Sequence, residues 1–169
     1  SWRRKLTRDA LGSSGWKNLK PLLTSLRSAQ GRRIGGTILA VQAVIWVARA
    51  ADLGKTWSAL AAKGLITPFE VKQLQRNEGL LKLIRARLHI IAGRREDRLV
   101  FDLQTAVAES FGYRSTRAQR ASEVLMKRYY WAAKAVTQLN QILMLNIEER
   151  IDGSEAAPMR QINARFLDR

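Results

Sequence analysis

The sequence predicts an all-α protein: a helical bundle of about five helices, ending in one long C-terminal helix. Three observations carry this. From Thr37 onward, apolar residues recur at spacings of three and four. No segment alternates polar and apolar residues as a half-buried strand does, and no hairpin signal or internal repeat appears. Helix punctuation falls between the periodic segments, above all at Thr67-Pro68-Phe69-Glu70 and at Gly93.

Residues 1–36 hold Gly12, Gly15, Pro21, Gly31, Gly35 and Gly36 among scattered basic residues. One short helix after Lys17, carrying Leu19, Leu22, Leu23 and Leu26, is expected there. The remainder reads as an irregular basic arm. Residues 37–152 form the helical domain. Its first segment, TILAVQAVIWVARAADLG, is apolar nearly all round and predicts a buried helix closed by Gly54. In TWSALAAKG, Thr56 caps a short helix and Gly64 ends it. The next helix opens with Thr67 as N-cap, Pro68 at the first helical position and Glu70 completing a capping box. Its apolar face is Val71, Leu74, Leu81, Ile84, Leu88 and Ile91, and Gly93 ends it.

The fourth helix is expected over 97–111, with Glu96 and Asp97 in its first turn, where the helix dipole favours acids. Gly112 stops it. The last spans 115–151, with Ala118, Ala121, Leu125, Tyr129, Ala132, Val136, Leu139, Leu143, Asn146 and Ile147 on one face. At about 1.5 Å per residue it exceeds roughly 50 Å. Residues 153–169 form a tail that looks like the opening of a further, truncated element.

The chain has 169 residues, 46% of them apolar, enough for one domain with its own core. It contains no cysteine, which excludes disulfides and thiolate metal sites and suits a reducing, cytoplasmic setting. The apolar run from Ile38 to Ala48 falls short of the roughly 18 residues of a membrane span, so no membrane association is expected. The first residues, SWRRKLTRDALGSSGW, lack the apolar core of a secretory signal. The net charge is +16, from 30 basic and 14 acidic residues. Residues 1–33 hold nine basic residues and the single acid Asp9, half of that net charge in a fifth of the chain. Such a segment attracts polyanions without a specific site.

A single histidine rules out Ser-His-Asp, Cys-His and multi-histidine metal chemistry resting on this chain alone. There is no phosphate-binding glycine loop. The polar residues of interest lie in LHIIAGRREDRLVFDLQ, residues 88–104. Arg85 precedes His89 by one helical turn, and Gln104 follows Asp97 by seven residues. Arg85, His89, Asp97 and Gln104 are therefore expected to converge across the Gly93 corner, where a buried polar group must be paired or meet a ligand. The bland reading of Glu96, Asp97 and Asp102 is capping and ion pairing with Arg94, Arg95 and Arg98. In Lys127-Arg128-Tyr129-Tyr130-Trp131, base stacking is one reading. The other places two of the three aromatic residues in the core, and it is preferred because helix neighbours point apart.

The segment from Trp46 to Ser115, with R-x-x-L-H at Arg85, Leu88 and His89 and G-R-x-x-D-x-L-x-F-x-x-Q from Gly93 to Gln104, closely resembles the bacterial PII uridylyltransferase/uridylyl-removing enzyme family. Phe111-Gly112-Tyr113 and the M-x-R-Y-Y block at Met126–Tyr130 add to the match. The resemblance covers roughly residues 41–151 and points to the helical linker domain that follows the family's nucleotidyltransferase core. It implies transfer of UMP from UTP, with Mg²⁺, to the PII nitrogen-signalling protein, which makes PII and the rest of the uridylyltransferase the implied partners. It also implies an HD domain that removes the UMP and ACT domains that sense glutamine, on parts of the enzyme beyond this segment.

This chain has no Gly-Ser turn with an Asp-x-Asp pair and too few histidines for an HD domain, so it is expected to be inactive alone. Where the family carries Arg and Asp in a G-G-L-R-D-L-Q run, alignment on Gln42 places Leu39 and Ala40. The resemblance implies that Arg85, Arg94, Asp97 and Gln104 lie at the nucleotide cleft, with His89 supporting them and no metal ligand in the chain. Two other readings stay open: a basic helical module that binds nucleic acid through residues 1–33, and an inert structural remnant.

Overall fold

The computed structural model describes residues 33–153 in full and the backbone of the last helix as far as Leu167. The arm and short helix expected over residues 1–32 lie outside the described residues, as do the side chains of the tail beyond Gly153. Among the described residues five helices follow one another: α1 (Ile34–Ala50), α2 (Trp57–Ala62), α3 (Pro68–Ala92), α4 (Phe101–Ser110) and α5 (Ala121–Leu167). No strand occurs among the described residues.

The long helices α3 and α5 form the spine. α5 packs on α1, α3 and α4, and α3 also touches α1, α2 and α4. The α3 stripe Leu74, Leu81, Ile84 and Leu88 is fully buried, against Leu125, Val136, Leu143 and Ile147 of α5 in one core. Removing this much apolar surface from water is the main stabilising term. Val71 and Ile91, the ends of the expected stripe, are half-buried at the core margin.

The local caps form as the sequence reads. The Thr56 hydroxyl accepts the Ala59 N–H. Thr67 Oγ1 accepts the Glu70 N–H while Glu70 Oε2 accepts the Thr67 N–H at 2.8 Å, a complete capping box with Pro68 behind it. These bonds hold the Glu70 carboxyl below the usual range, the Thr67 backbone contributing most. Gly93 closes α3 at φ 65°, a left-handed conformation that suits a residue without a β-carbon.

Several expectations are corrected. α1 begins at Ile34 and ends at Ala50, so Gly35 and Gly36 lie inside it. It stops before Gly54: Asp52, at φ 58°, is its left-handed closer, with Asp52 N–H donating to Arg49 O and Leu53 N–H to Ala48 O. α1 is also not buried all round, because Leu39 and Trp46 face outward.

α4 begins at Phe101, not Asp97, which puts Glu96 and Asp97 in the preceding loop and leaves Asp102 as its first-turn acid. α5 begins at Ala121, not Ser115. The Thr116 hydroxyl accepts the Gln119 N–H, and Ser115 Oγ accepts the Ala121 N–H. Such local side-chain bonds compete with helix and hold residues 115–120 in a turn. α5 then continues through Ile151 and Gly153 to Leu167.

α5 also secures the α2–α3 link. Asn146 Nδ2 donates to Leu65 O at 2.8 Å, and Arg150 donates to Lys63 O at 2.9 Å.

Candidate functional site

α3 crosses the domain with different chemistry on its two flanks. The flank toward α1 carries Glu78, Lys82, Arg85 and His89, spaced four, three and four residues apart, one polar row on a helix. Glu78 is only 6% exposed, and its Oε1 accepts from Gln42 Nε2 of α1 and from Lys82 Nζ, each at 2.9 Å.

One turn further along, Asp97 meets the row from the loop between α3 and α4. Its Oδ1 accepts from Arg85 Nε at 2.5 Å and stands 3.6 Å from His89 Nε2. That is beyond hydrogen-bond reach, so the buried His89 Nε2 has no hydrogen-bond partner among the described residues. The Arg85 guanidinium holds the Asp97 carboxyl below the usual carboxylate range, against the opposing effect of burial, and His89 adds to it.

Asp97 also belongs to α1. Its carbonyl accepts the Ile34 N–H at 3.2 Å, and its carboxylate lies against Gly35. α1 has no acid in its own first turn and no side-chain cap. A carboxylate from another segment thus stands at the positive end of its dipole.

Three of the sequence candidates, Arg85, His89 and Asp97, therefore come together across the Gly93 corner. Gln104 does not join them by the route expected, because Asp97 is not on α4; its Nε2 donates to Leu99 O at 3.0 Å. Arg94 is mostly exposed and pairs with Glu96 Oε2 at 3.3 Å. Glu96 also accepts the Arg98 N–H, the leading cause of its lowered pKa, with Arg94 second. The ion pairing foreseen among these acids and arginines is thus present at Arg94–Glu96.

The sequence profile of the family described as GlnD PII-uridylyltransferase matches residues 35–144, most of the chain and all of this corner. The chain belongs to the PII-uridylyltransferase family. Named bifunctional uridylyltransferase/uridylyl-removing enzymes are similar to it. That of Cupriavidus metallidurans is 58% identical over 134 residues, covering 79% of this chain and 16% of its own length. That of Burkholderia orbicola (strain MC0-3) is 56% identical over 135 residues, again 79% and 16%. That of Burkholderia vietnamiensis is 62% identical over 116 residues, 69% of this chain and 14% of its own. The chain thus spans about a sixth of the length of the relatives it matches. No solved structure matches it.

The family-like Phe111-Gly112-Tyr113 motif has a packing role in this member. Gly112, at φ 81°, turns the chain so that the Phe111 and Tyr113 rings stack with centroids 5.7 Å apart. The Arg87 guanidinium lies 3.9 Å over Phe111 and donates to Ser110 O. Arg128 lies over Tyr113 and donates to its hydroxyl at 2.9 Å. Cation–π contacts of this kind each stabilise by roughly 0.5–1 kcal/mol at exposed sites, and here they tie α3, the end of α4 and α5 together.

Sequence reasoning missed Glu78 and its partner Gln42, which lie 36 residues apart and carry no local signal. It also misplaced the aromatic triplet. Only Tyr129 packs on the core, where burial raises its pKa, while Tyr130 and Trp131 stand exposed. No helix among the described residues is long and apolar enough to cross a membrane.

Proposed function

We propose that this domain forms one wall of the nucleotide cleft of a PII uridylyltransferase, which moves UMP from UTP to the PII protein. The observation that carries the reading is the joint at Gly93. Arg85, His89 and Asp97 form a polar cluster pinned to α1, with the more exposed Arg94 beside it. Family membership supplies the reaction class. On this reading Arg94 exchanges its Glu96 contact for phosphate oxygens of UTP, the kind of forked recognition a guanidinium provides. Arg85 and Asp97 hold the loop that presents Arg94, and Gln104 steadies the same loop through Leu99 O. His89 supports the pair.

The Mg²⁺ that assists phosphoryl transfer neutralises charge on the phosphates and needs acidic ligands. Among the described residues no group of three His, Cys, Asp or Glu is placed to hold a metal ion. On this reading the metal-binding acids lie on the nucleotidyltransferase core of the family enzyme, and UMP transfer requires that core together with this domain.

The test is Arg94→Ala in a full-length relative carrying the same G-R-x-x-D motif, with UTP kinetics and thermal unfolding measured together. A raised KM for UTP or a lowered kcat with unchanged folding supports the assignment. Unchanged UTP kinetics in a folded variant overturns it.

A further inference from the structure

The other flank of α3 faces α5 across an open groove of about 830 Å³, between residues 73–80 and 124–135. Arg76, Lys127 and Arg128 line it together with the side-chain amides of Gln73 and Asn77, and no carboxylate does. Arg128 is partly engaged by Tyr113. Among the described residues, Arg76 and Lys127 have no ion-pair partner.

Trp131 lines the groove with 57% of its surface exposed, beside Tyr130 at 58%. The two rings meet edge-on with centroids 5.9 Å apart. Lys134 Nζ stands 5.5 Å from the indole centre and 5.9 Å from the phenol. Two cations without ion-pair partners among the described residues, the exposed Trp131 ring and the amide-bearing Gln73, Asn77 and Gln119 thus line one channel, away from the Arg85–Asp97 joint, with Tyr130 and Lys134 beside it.

We propose that this groove binds a short stretch of single-stranded nucleic acid, with phosphates on Arg76 and Lys127 and a base stacked on Trp131. Cationic grooves that track a backbone and aromatic faces that stack bases are the two elements of sequence-tolerant single-strand binding. A free nucleoside triphosphate fits less well, because it travels with a divalent cation and no carboxylate lines the groove to hold one. The groove's positive charge also comes from two helices, Arg76 on α3 and Lys127 and Arg128 on α5, rather than from one point. An acidic peptide would use the cations and leave the indole face uncovered.

The test uses the whole 169-residue chain and a fluorescein-labelled oligothymidylate of about ten nucleotides, followed by anisotropy across a salt series. The basic residues 1–33 are present in every variant, so their contribution is constant. Arg76→Glu with Lys127→Glu is expected to weaken binding at least about tenfold and to reduce the slope of log affinity against log salt by roughly 1.4, two phosphate contacts' worth. Trp131→Ala is expected to weaken it about tenfold with little change in slope. Thermal unfolding confirms that each variant folds; if charge reversal unfolds the chain, Arg76→Gln with Lys127→Gln gives the same reading. Wild-type affinity in both the charge and the Trp131 variants overturns the proposal and assigns the binding to residues 1–33. Displacement of the oligonucleotide by UTP or by polyglutamate at equal charge concentration also overturns it, in favour of a free nucleotide or an acidic peptide.

Discussion

The carboxylate of Asp97 rests on the backbone of Gly35: a β-carbon at Gly35 would stand 2.7 Å from Asp97 Oδ2 and 3.1 Å from its Cγ. The first turn of α1 and the α3–α4 loop are therefore fitted to each other at a position where only a hydrogen is tolerated. Arg85 holds the carboxylate from the other side, so it cannot swing away without breaking that pair.

Gly35→Ala is expected to destabilise the domain by about 1–3 kcal/mol, as an overpacked contact does, although alanine is otherwise the better helix former. In an Asp97→Ala background the same substitution should be neutral or slightly stabilising. Urea unfolding of the four proteins in this cycle checks it. Equal effects of Gly35→Ala in both backgrounds would show that the contact is not the cause.

The Arg85–Asp97 pair also sets an acid dependence. The Asp97 carboxyl lies below its unfolded value of about 3.9. Its stabilisation is thus full at neutral pH and is lost as pH falls from about 4 through the lower folded value. Both side chains are about one-third exposed, so the contribution is discounted to about 1 kcal/mol. Asp97→Asn should be less stable than the parent at pH 7, and the gap should close in acid. A gap independent of pH would mean that Asp97 acts through shape rather than charge.

These two expectations rest on a residue whose position was only half legible. The Thr67–Glu70 capping box and the Gly93 stop are local devices, and the sequence reads them directly. The apolar stripe of α3 is equally plain, because its period lies within one element. Asp97 is different. It resembles a first-turn acid of the helix that follows it, yet it serves the first turn of a helix some sixty residues earlier in the chain. Nothing local distinguishes the two uses.

The same holds for Glu78 and Gln42, and for Ser115 and Thr116, whose hydroxyls turn an expected helical start into a loop. Of the site candidates, the spacing of Arg85 and His89 placed them together, whereas Gln104 was tied to Asp97 through a helix they do not share.

Asp52 offers a stability gain. It closes α1 at φ 58° with the two backbone bonds of a Schellman turn. A left-handed conformation costs an L-residue about 1–2 kcal/mol relative to glycine. Its backbone carbonyl accepts from Lys63 Nζ, and its side chain has no hydrogen-bond or ion-pair partner among the described residues. Asp52→Gly is expected to raise stability by up to about 1 kcal/mol, net of the greater freedom of glycine in the unfolded chain. A fall in melting temperature would show that the aspartate side chain holds the turn.

Hydrogen exchange of a full-length relative, with and without UTP and Mg²⁺, tests the nucleotide-cleft assignment most directly. The expected result is slowed exchange on UTP binding in the segment matching residues 85–104, the joint of Arg85, His89, Arg94 and Asp97. Protection confined to other parts of the enzyme, with this segment unchanged at saturating UTP, would contradict the account.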